Sequence, residues 1–334
     1  MAIDFSNTLI VAISATALFD LTESEQYREK LLQDSPTDAS KQFREYMQQH
    51  ENDPLEIGAG FPLIQAILNL NNCGKATTDH NYQNDTPLVE VVIISKSCPE
   101  TGIRVLNAIR QRGLCITRSA FISGGQVADY IADFKVDLFL TTNKEDAQSV
   151  ADAQICACAI LDATPVNTFT LDTDQLRIAF DGDAVLFDDS GELLYKQQGL
   201  KAFHDREALM TDLPIEKGPY ADLLIKLSHL QDRLPHSEQS RPIQIALVTA
   251  RNAPADLRAI KTLRQWGVTV DMAFFLGGLE KTSVLKTFAP HIFFDDSIQH
   301  IDAAKNYMPT ALVPYHSNSK LYTHTWVPVK DAHQ

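Results

Sequence analysis

The sequence predicts an α/β fold, a parallel sheet with helices on both faces, built from two copies of one unit. Short apolar runs that read as buried strands alternate along the chain with segments of helical spacing, the pattern of parallel βα units. That order then starts again. Val91-Val92-Ile93-Ile94-Ser95 matches Ile245-Ala246-Leu247-Val248-Thr249 at an offset of 154 residues, and Ile109-Arg110-Gln111-Arg112-Gly113 matches Leu263-Arg264-Gln265-Trp266-Gly267 at the same offset. AFISGG from Ala120 matches AFFLGG from Ala273, Asp137 to Leu140 matches His291 to Phe294, and AISATALFD from Ala12 resembles AFDGDAVLFD from Ala179 with one residue inserted. Similarity at nearly constant spacing implies duplication, against the alternative of two chance strand-helix patterns. The expected lobes are 8–165 and 170–316, followed by a polar C-terminal arm, 317–334.

At 334 residues with 44% apolar side chains the chain can build two ordinary domains with proper cores. A net charge of -14 excludes nucleic-acid backbone binding and adhesion to anionic lipid, which need clustered Lys and Arg. The start, MAIDFSNTLIVAISATALFDL, lacks a basic leader, and its apolar part is too short and too interrupted to span a bilayer. A cytoplasmic protein is expected, and homo-oligomerisation is compatible with the sequence. Cys73, Cys98, Cys115, Cys156 and Cys158 lack metal-site spacing and read as free, mostly buried thiols.

The first strand is Leu9 to Ile13. Polar, helix-forming residues run from Glu23 to His50, and in IGAGFPLIQAILNL the apolar spacing predicts a helix with Pro62 in its first turn. Asn71 to Thr86 reads as a surface loop. Val89 to Ile94 is a strand, Pro99 to Arg112 a helix, and Ala120 to Ile122 and Val136 to Leu140 two further strands.

Chemistry concentrates in the second copy. The strand of RIAFDGDAVLFD, from Arg177, breaks at Asp181-Gly182-Asp183, where a buried strand of an open α/β sheet would deliver its end to a crevice. A bare Asp-Gly is otherwise a turn signal. Later strand ends supply Thr249, Lys281 after a Gly-Gly turn, and Asp295-Asp296 after an apolar run. Carboxylates this close need a positive partner such as Mg²⁺. Asp181 could attack phosphorus, with Asp183 as acid and base. Thr249 and the following backbone amide of Ala250 could hold a phosphoryl oxygen, and Lys281 could neutralise both the phosphate and Asp181. The metal carboxylates would come from Asp181, Asp183, Asp295 and Asp296. Taken singly, Thr249 reads as a strand-end cap, Lys281 as a solvated lysine and Asp295-Asp296 as a helix cap. Together at successive strand ends they point to catalysis.

The order DGDAVLF, LVTAR, LGGLEK and FFDD resembles the four motifs of the haloacid dehalogenase superfamily. More closely, VAISATALFD at Val11, LRIAFDGDAVLFDD at Leu176, LVTAR at Leu247, IKTLRQWG at Ile260 and PHIFFDD at Pro290 resemble the cytosolic type I 5'-nucleotidases over nearly the whole chain. The resemblance implies a haloacid dehalogenase-like fold and an Mg²⁺-dependent phosphatase of nucleoside 5'-monophosphates, AMP among them. It assigns Asp181 as nucleophile, Asp183 as acid/base, Thr249 and Lys281 to the phosphate, and Asp295 or Asp296 to the metal. The rival readings are a phosphatase of a sugar phosphate or other small phosphomonoester, and a non-catalytic nucleotide-binding regulator. Arg251 would meet phosphate or ribose unless it is a surface arginine. Phe61 and Tyr220, at matching helix starts, would stack a base unless they pack in the core. The first copy carries Ser14, Thr16, Ser95, Thr141 and Thr142 at the corresponding strand ends. The ADP activation of animal family members suggests a regulatory nucleotide there, against a purely structural lobe.

Overall fold

The computed structural model describes residue 5 and residues 7–75, 86–162, 175–234 and 241–322. The lobe boundary near 165–170, most of the predicted 71–86 loop and the arm beyond 322 lie outside the described residues. The first half runs β1 (Leu9–Ile13), α1 (Ala15–Leu18), α2 (Thr22–Asp34), α3 (Ala39–Gln49), α4 (Phe61–Lys75), β2 (Val89–Ser95), α5 (Pro99–Gln111), β3 (Arg118–Phe121), α6 (Ala128–Ile131), β4 (Leu138–Thr141), α7 (Lys144–Ala153) and β5 (Ala157–Leu161). The second runs β6 (Leu176–Phe180), α8 (Ser190–Leu209), α9 (Ala221–Arg233), β7 (Ile243–Thr249), α10 (Ala255–Gln265), β8 (Met272–Phe275), α11 (Thr282–Phe288), β9 (Ile292–Asp295), α12 (Ile298–Ala304) and β10 (Thr310–Leu312). The polar stretch from Glu23 is two helices, since Ser35 precedes Pro36 and is driven out of helical geometry. The helix containing Pro62 continues through Asn71 to Lys75, into the predicted loop.

Among the described residues one sheet of ten strands forms, in the order β3-β2-β1-β4-β5-β10-β9-β6-β7-β8. Read inward from either outer edge, each half repeats one order: third strand, second, first, fourth, fifth. Each half also closes an antiparallel bridge behind its first strand, Phe19 with Ile57 and Phe187 with Lys217. Pairing within each half is parallel. The seam departs from the expected all-parallel sheet: β5 and β10 run antiparallel, Ala311 facing Leu161 and Leu312 facing Ile160. Each thereby covers the other's open edge. Two physical consequences follow. The strand ends of the two halves point to opposite edges of the sheet, and the start of β5 lies at the edge where β6, β9 and β10 finish.

Helices cover both faces, which is why β1, β2, β4, β5 and β9 are buried at every position. Alternate residues part to the two sides. Leu9, Val11, Ile13, Ile178 and Phe180 join the core under α4, α5, α9 and α10. Ile10 and Ala12 pack with Val127, Ile131 and Val150, while Ala179 and Ala246 pack with Leu285 and Phe288. Tyr220, fully buried, lies against Phe180 and Phe294, and its hydroxyl donates to the Cys158 carbonyl of β5 at 2.8 Å. It ties the second half to the first and stacks no base. Phe61 is core as well, packed on Phe19. Of the cysteines only Cys158 is fully buried and Cys115 is exposed, so burial of the thiols is less general than expected; all five are free. Burial pushes the Cys156 thiol up to about 12, away from the thiolate form.

Candidate active site

Asp181 is the first residue past β6, and its N–H donates to the Phe294 carbonyl of β9 at 2.9 Å. The chain then turns sharply through Gly182–Leu186, with Asp183 extended and Ala184 left-handed at φ 60°. The turn lies against the end of β7. A Cβ on Gly182 would stand 2.9 Å from Thr249 Oγ1 and 3.3 Å from its Cβ, so glycine is what lets Asp181 sit beside that buried hydroxyl. The hydroxyl oxygen of Thr249 in turn accepts from the Arg251 N–H at 3.3 Å. Ala250, between them, is exposed.

Lys281, buried at the start of α11, joins two strand ends. Its Nζ lies 2.7 Å from Asp181 Oδ1 and 2.7 Å from Asp295 Oδ2. His300 Nδ1, from α12, donates to Asp295 Oδ2 at 3.0 Å, and Tyr315 donates its hydroxyl to Asp296 Oδ2. Burial pushes Asp181 up to about 6, Asp295 adding to the shift and Lys281 opposing it. Burial acts on Asp295 likewise, but Lys281 and His300 outweigh it and hold that carboxyl below the usual range. Burial and the neighbouring Asp295 and Asp181 push Asp296 well up. Lys281 loses hydration, yet the two carboxylates keep its ammonium above the ordinary lysine value. Three buried carboxyl groups around one ammonium form a cluster short of positive charge. Ligand atoms of Asp181, Asp295 and His300 lie within 4.8 Å of one another.

Asp183 stands apart from that group. Arg251 Nε donates to its Oδ2 at 2.8 Å and Nη2 to its Oδ1 at 2.7 Å. The remaining Arg251 nitrogen, Nη1, donates to Glu207 Oε2 at 2.6 Å, and Arg258 Nη1 donates to Glu207 Oε1 at 2.7 Å. Glu207 is fully buried on α8, and the Arg251 guanidinium lies over the rings of Phe187 and Phe203, 5.3 and 5.2 Å from their centroids. Arg251, expected to meet phosphate or ribose or to lie on the surface, is therefore a buried partner of Asp183. Asp183, expected among the metal carboxylates, is occupied by it.

The sequence-predicted residues thus divide. Asp181, Thr249, Lys281, Asp295 and Asp296 come together; Asp183 and Arg251 form a neighbouring pair. Sequence reasoning missed Glu207, Arg258, His300 and Tyr315. A charged residue on a long polar helix reads as solvated, so nothing marked Glu207 or Arg258. His300, one helical turn past a strand-end aspartate, left a faint signal in its spacing, and Tyr315 left none.

A model described as 5'-nucleotidase matches residues 1–320. Cytosolic 5'-nucleotidase 1B of Homo sapiens is 31% identical over 303 residues, 90% of this chain and 47% of that protein. The chain spans about half the length of this curated relative. Among solved structures, histidinol dehydrogenase from Elizabethkingia anophelis overlaps 77% of this chain and 51% of its own at 11% identity and a TM-score of 0.23, too slight a likeness to bear on fold or chemistry. Among the described residues no helix is long and apolar enough to cross a membrane.

Proposed function

The chain belongs to the 5'-nucleotidase family, and from that premise we propose that it hydrolyses nucleoside 5'-monophosphates to nucleoside and phosphate, with Mg²⁺, through an aspartyl-phosphate on Asp181. The observation that carries this reading is Lys281 bridging Asp181 and Asp295 at 2.7 Å each. A buried carboxylate at a strand end, ionised above about pH 6 and held by an ammonium, is an oriented nucleophile with its counter-charge in place.

In the first step Asp181 Oδ bonds to phosphorus, the bond from phosphorus to O5' breaks, and Asp183, which enters the step protonated on an oxygen freed from the Arg251 fork, gives that proton to O5'. In the second, Asp183 takes a proton from water, the water oxygen bonds to phosphorus, and the acyl phosphate bond breaks to restore Asp181 and release phosphate. Lys281 and the Thr249 hydroxyl hold the equatorial oxygens. Arg251, fixed by Glu207, sets the direction of the Asp183 carboxylate. Buried carboxyl oxygens that repel one another suit a hard dication, so Asp181 and Asp295, with Asp296 beside them, would hold Mg²⁺. His300 would act through Asp295, since imidazole favours softer metals. Bound Mg²⁺ would supply charge neutralisation for the phosphate.

The repeated strand order of the two halves supports reading the chain as two copies, 8–165 and 170–316, on a haloacid dehalogenase-like plan. In the first copy Ser14 Oγ lies 3.2 Å from Thr16 Oγ1, and Thr16 Oγ1 lies 2.6 Å from Thr142 Oγ1. These hydroxyls satisfy one another at the edge opposite Asp181, which favours a structural role for that crevice over a regulatory nucleotide site. The test of the main reading is a phosphate-release screen over ribo- and deoxyribonucleoside monophosphates and sugar phosphates, with and without Mg²⁺. Turnover confined to sugar phosphates would overturn it.

A further inference from the structure

A cavity of about 460 Å³ opens at the seam between the halves, on the edge where Asp181 lies. It is within the size range of small-molecule sites, about 300–1,000 Å³. Its walls come from both halves: Ile155 and Ala157 at the start of β5, Ala184 and Asp188 from the turn after Asp183, Lys217 before α9, and Tyr315 past β10. Two of these residues connect it to the candidate active site. Ala184 directly follows Asp183, and the Tyr315 hydroxyl donates to Asp296.

Resting on the nucleotidase reading, we propose that this seam cavity seats the nucleoside, so that the non-catalytic half forms one wall of the substrate site. The chemistry of the lining suits that occupant. Ile155, Ala157 and Ala184 offer apolar surface to the faces of a heterocycle. Of the charged groups, Lys217 is paired with Asp222 at 2.6 Å and Asp137 with Lys226 at 2.7 Å. Among the described residues the side-chain hydrogen bonds to Asp188 and Asp189 come from serine hydroxyls, Ser190 at 2.9 Å and Ser319 respectively. A lining whose unpaired charge is carboxylate accepts hydroxyl and amino donors and repels a second anion. The 5'-phosphate therefore stays with Lys281, and a neutral, hydroxyl-bearing leaving group fills the cavity. The antiparallel β5–β10 seam is what makes this possible, because it turns the start of β5, and not a strand-end crevice, toward the active edge.

The test uses two variants that narrow the cavity from opposite walls at exposed positions, Ile155→Trp and Lys217→Trp; Ile155 is 46% exposed and the Lys217 side chain 49%. Each is assayed with Mg²⁺ on a nucleoside monophosphate and on acetyl phosphate, which is too small to need the cavity. The expected result is a rise in KM for the nucleotide of about tenfold or more, with kcat/KM for acetyl phosphate kept within about twofold. Unchanged nucleotide KM in both variants would overturn the proposal, and so would equal losses on the two substrates. Wild-type protein that cleaves acetyl phosphate but no nucleoside monophosphate would instead overturn the nucleotidase reading.

Discussion

Arg251 grips Asp183 with two nitrogens, Nε on one carboxylate oxygen at 2.8 Å and Nη2 on the other at 2.7 Å. A guanidinium fork of this kind fixes both the position and the plane of a carboxylate. It makes Arg251 a positioning residue, and it gives the proposed proton donor one defined direction.

If Asp183 delivers the proton to O5', Asp183→Asn will cost most where the leaving group is a poor one. Loss of general acid catalysis is expected to slow nucleotide hydrolysis by about 10²- to 10⁴-fold, with a much smaller effect on acetyl phosphate. Steady-state rates on the two substrates decide it, and equal losses would remove the role.

The fork is itself anchored. Glu207 is completely buried and accepts from Arg251 and Arg258, so Glu207→Ala leaves two buried guanidinium groups without their common partner. A loss of about 3–5 kcal/mol in folding stability is expected, measured by urea denaturation at neutral pH. Arg251→Lys keeps the charge but loses the fork. That variant should retain most of the stability while showing the same leaving-group dependence as Asp183→Asn.

Gly191 offers a gentler perturbation. A Cβ there would stand inside contact distance of Asp183 Oδ1 and 3.3 Å from Arg251 Nη2. Gly191→Ala should therefore displace the pair and lower kcat on nucleotides, while KM, set by the phosphate and nucleoside contacts, stays near wild type. An unchanged kcat would mean that the pair tolerates displacement.

Asp181→Asn removes the nucleophile and keeps the shape of the site. Turnover should fall by about a factor of 10⁴ or more, while circular dichroism and phosphate affinity stay close to wild type because Lys281 retains Asp295. Substantial residual turnover would exclude the aspartyl-phosphate route.

The pH dependence follows from the same carboxyl. Burial raises Asp181 to about 6, so the group is protonated below that pH and ionised above it. Metal binding needs the ionised form. Apparent Mg²⁺ affinity should be level above neutrality and fall about tenfold per pH unit below about 6. Magnesium titration by calorimetry from pH 5 to 8 measures this directly. Exhaustive EDTA dialysis should abolish activity, and added Mg²⁺ should restore it.

Much of the fold and half of the site were legible in the sequence for local reasons. Buried parallel strands are continuous apolar runs, so β1, β2, β7 and β9 announce themselves, and a strand end is where an apolar run stops. Asp181, Thr249 and Asp295 sit at such stops. The likeness between the two halves was visible because both keep that punctuation at one spacing. Long-range geometry lay beyond local pattern. β10 is three residues long, too short for periodicity to register, and β5 is one more apolar run with no mark of its partner. Yet these two strands meet antiparallel and so decide that the halves form one sheet with their strand ends at opposite edges. The partners of Asp183 were decided in the same way. Glu207 and Arg258 are charged residues that look solvated in a linear chain. Folding brings α8 against α10 across 51 residues of sequence, and against Arg251 after β7 across 44, to bury them as a network. Residue types and strand ends are properties of the chain itself; pairing across the seam and burial of opposite charges exist only once distant segments have lost their water and found each other.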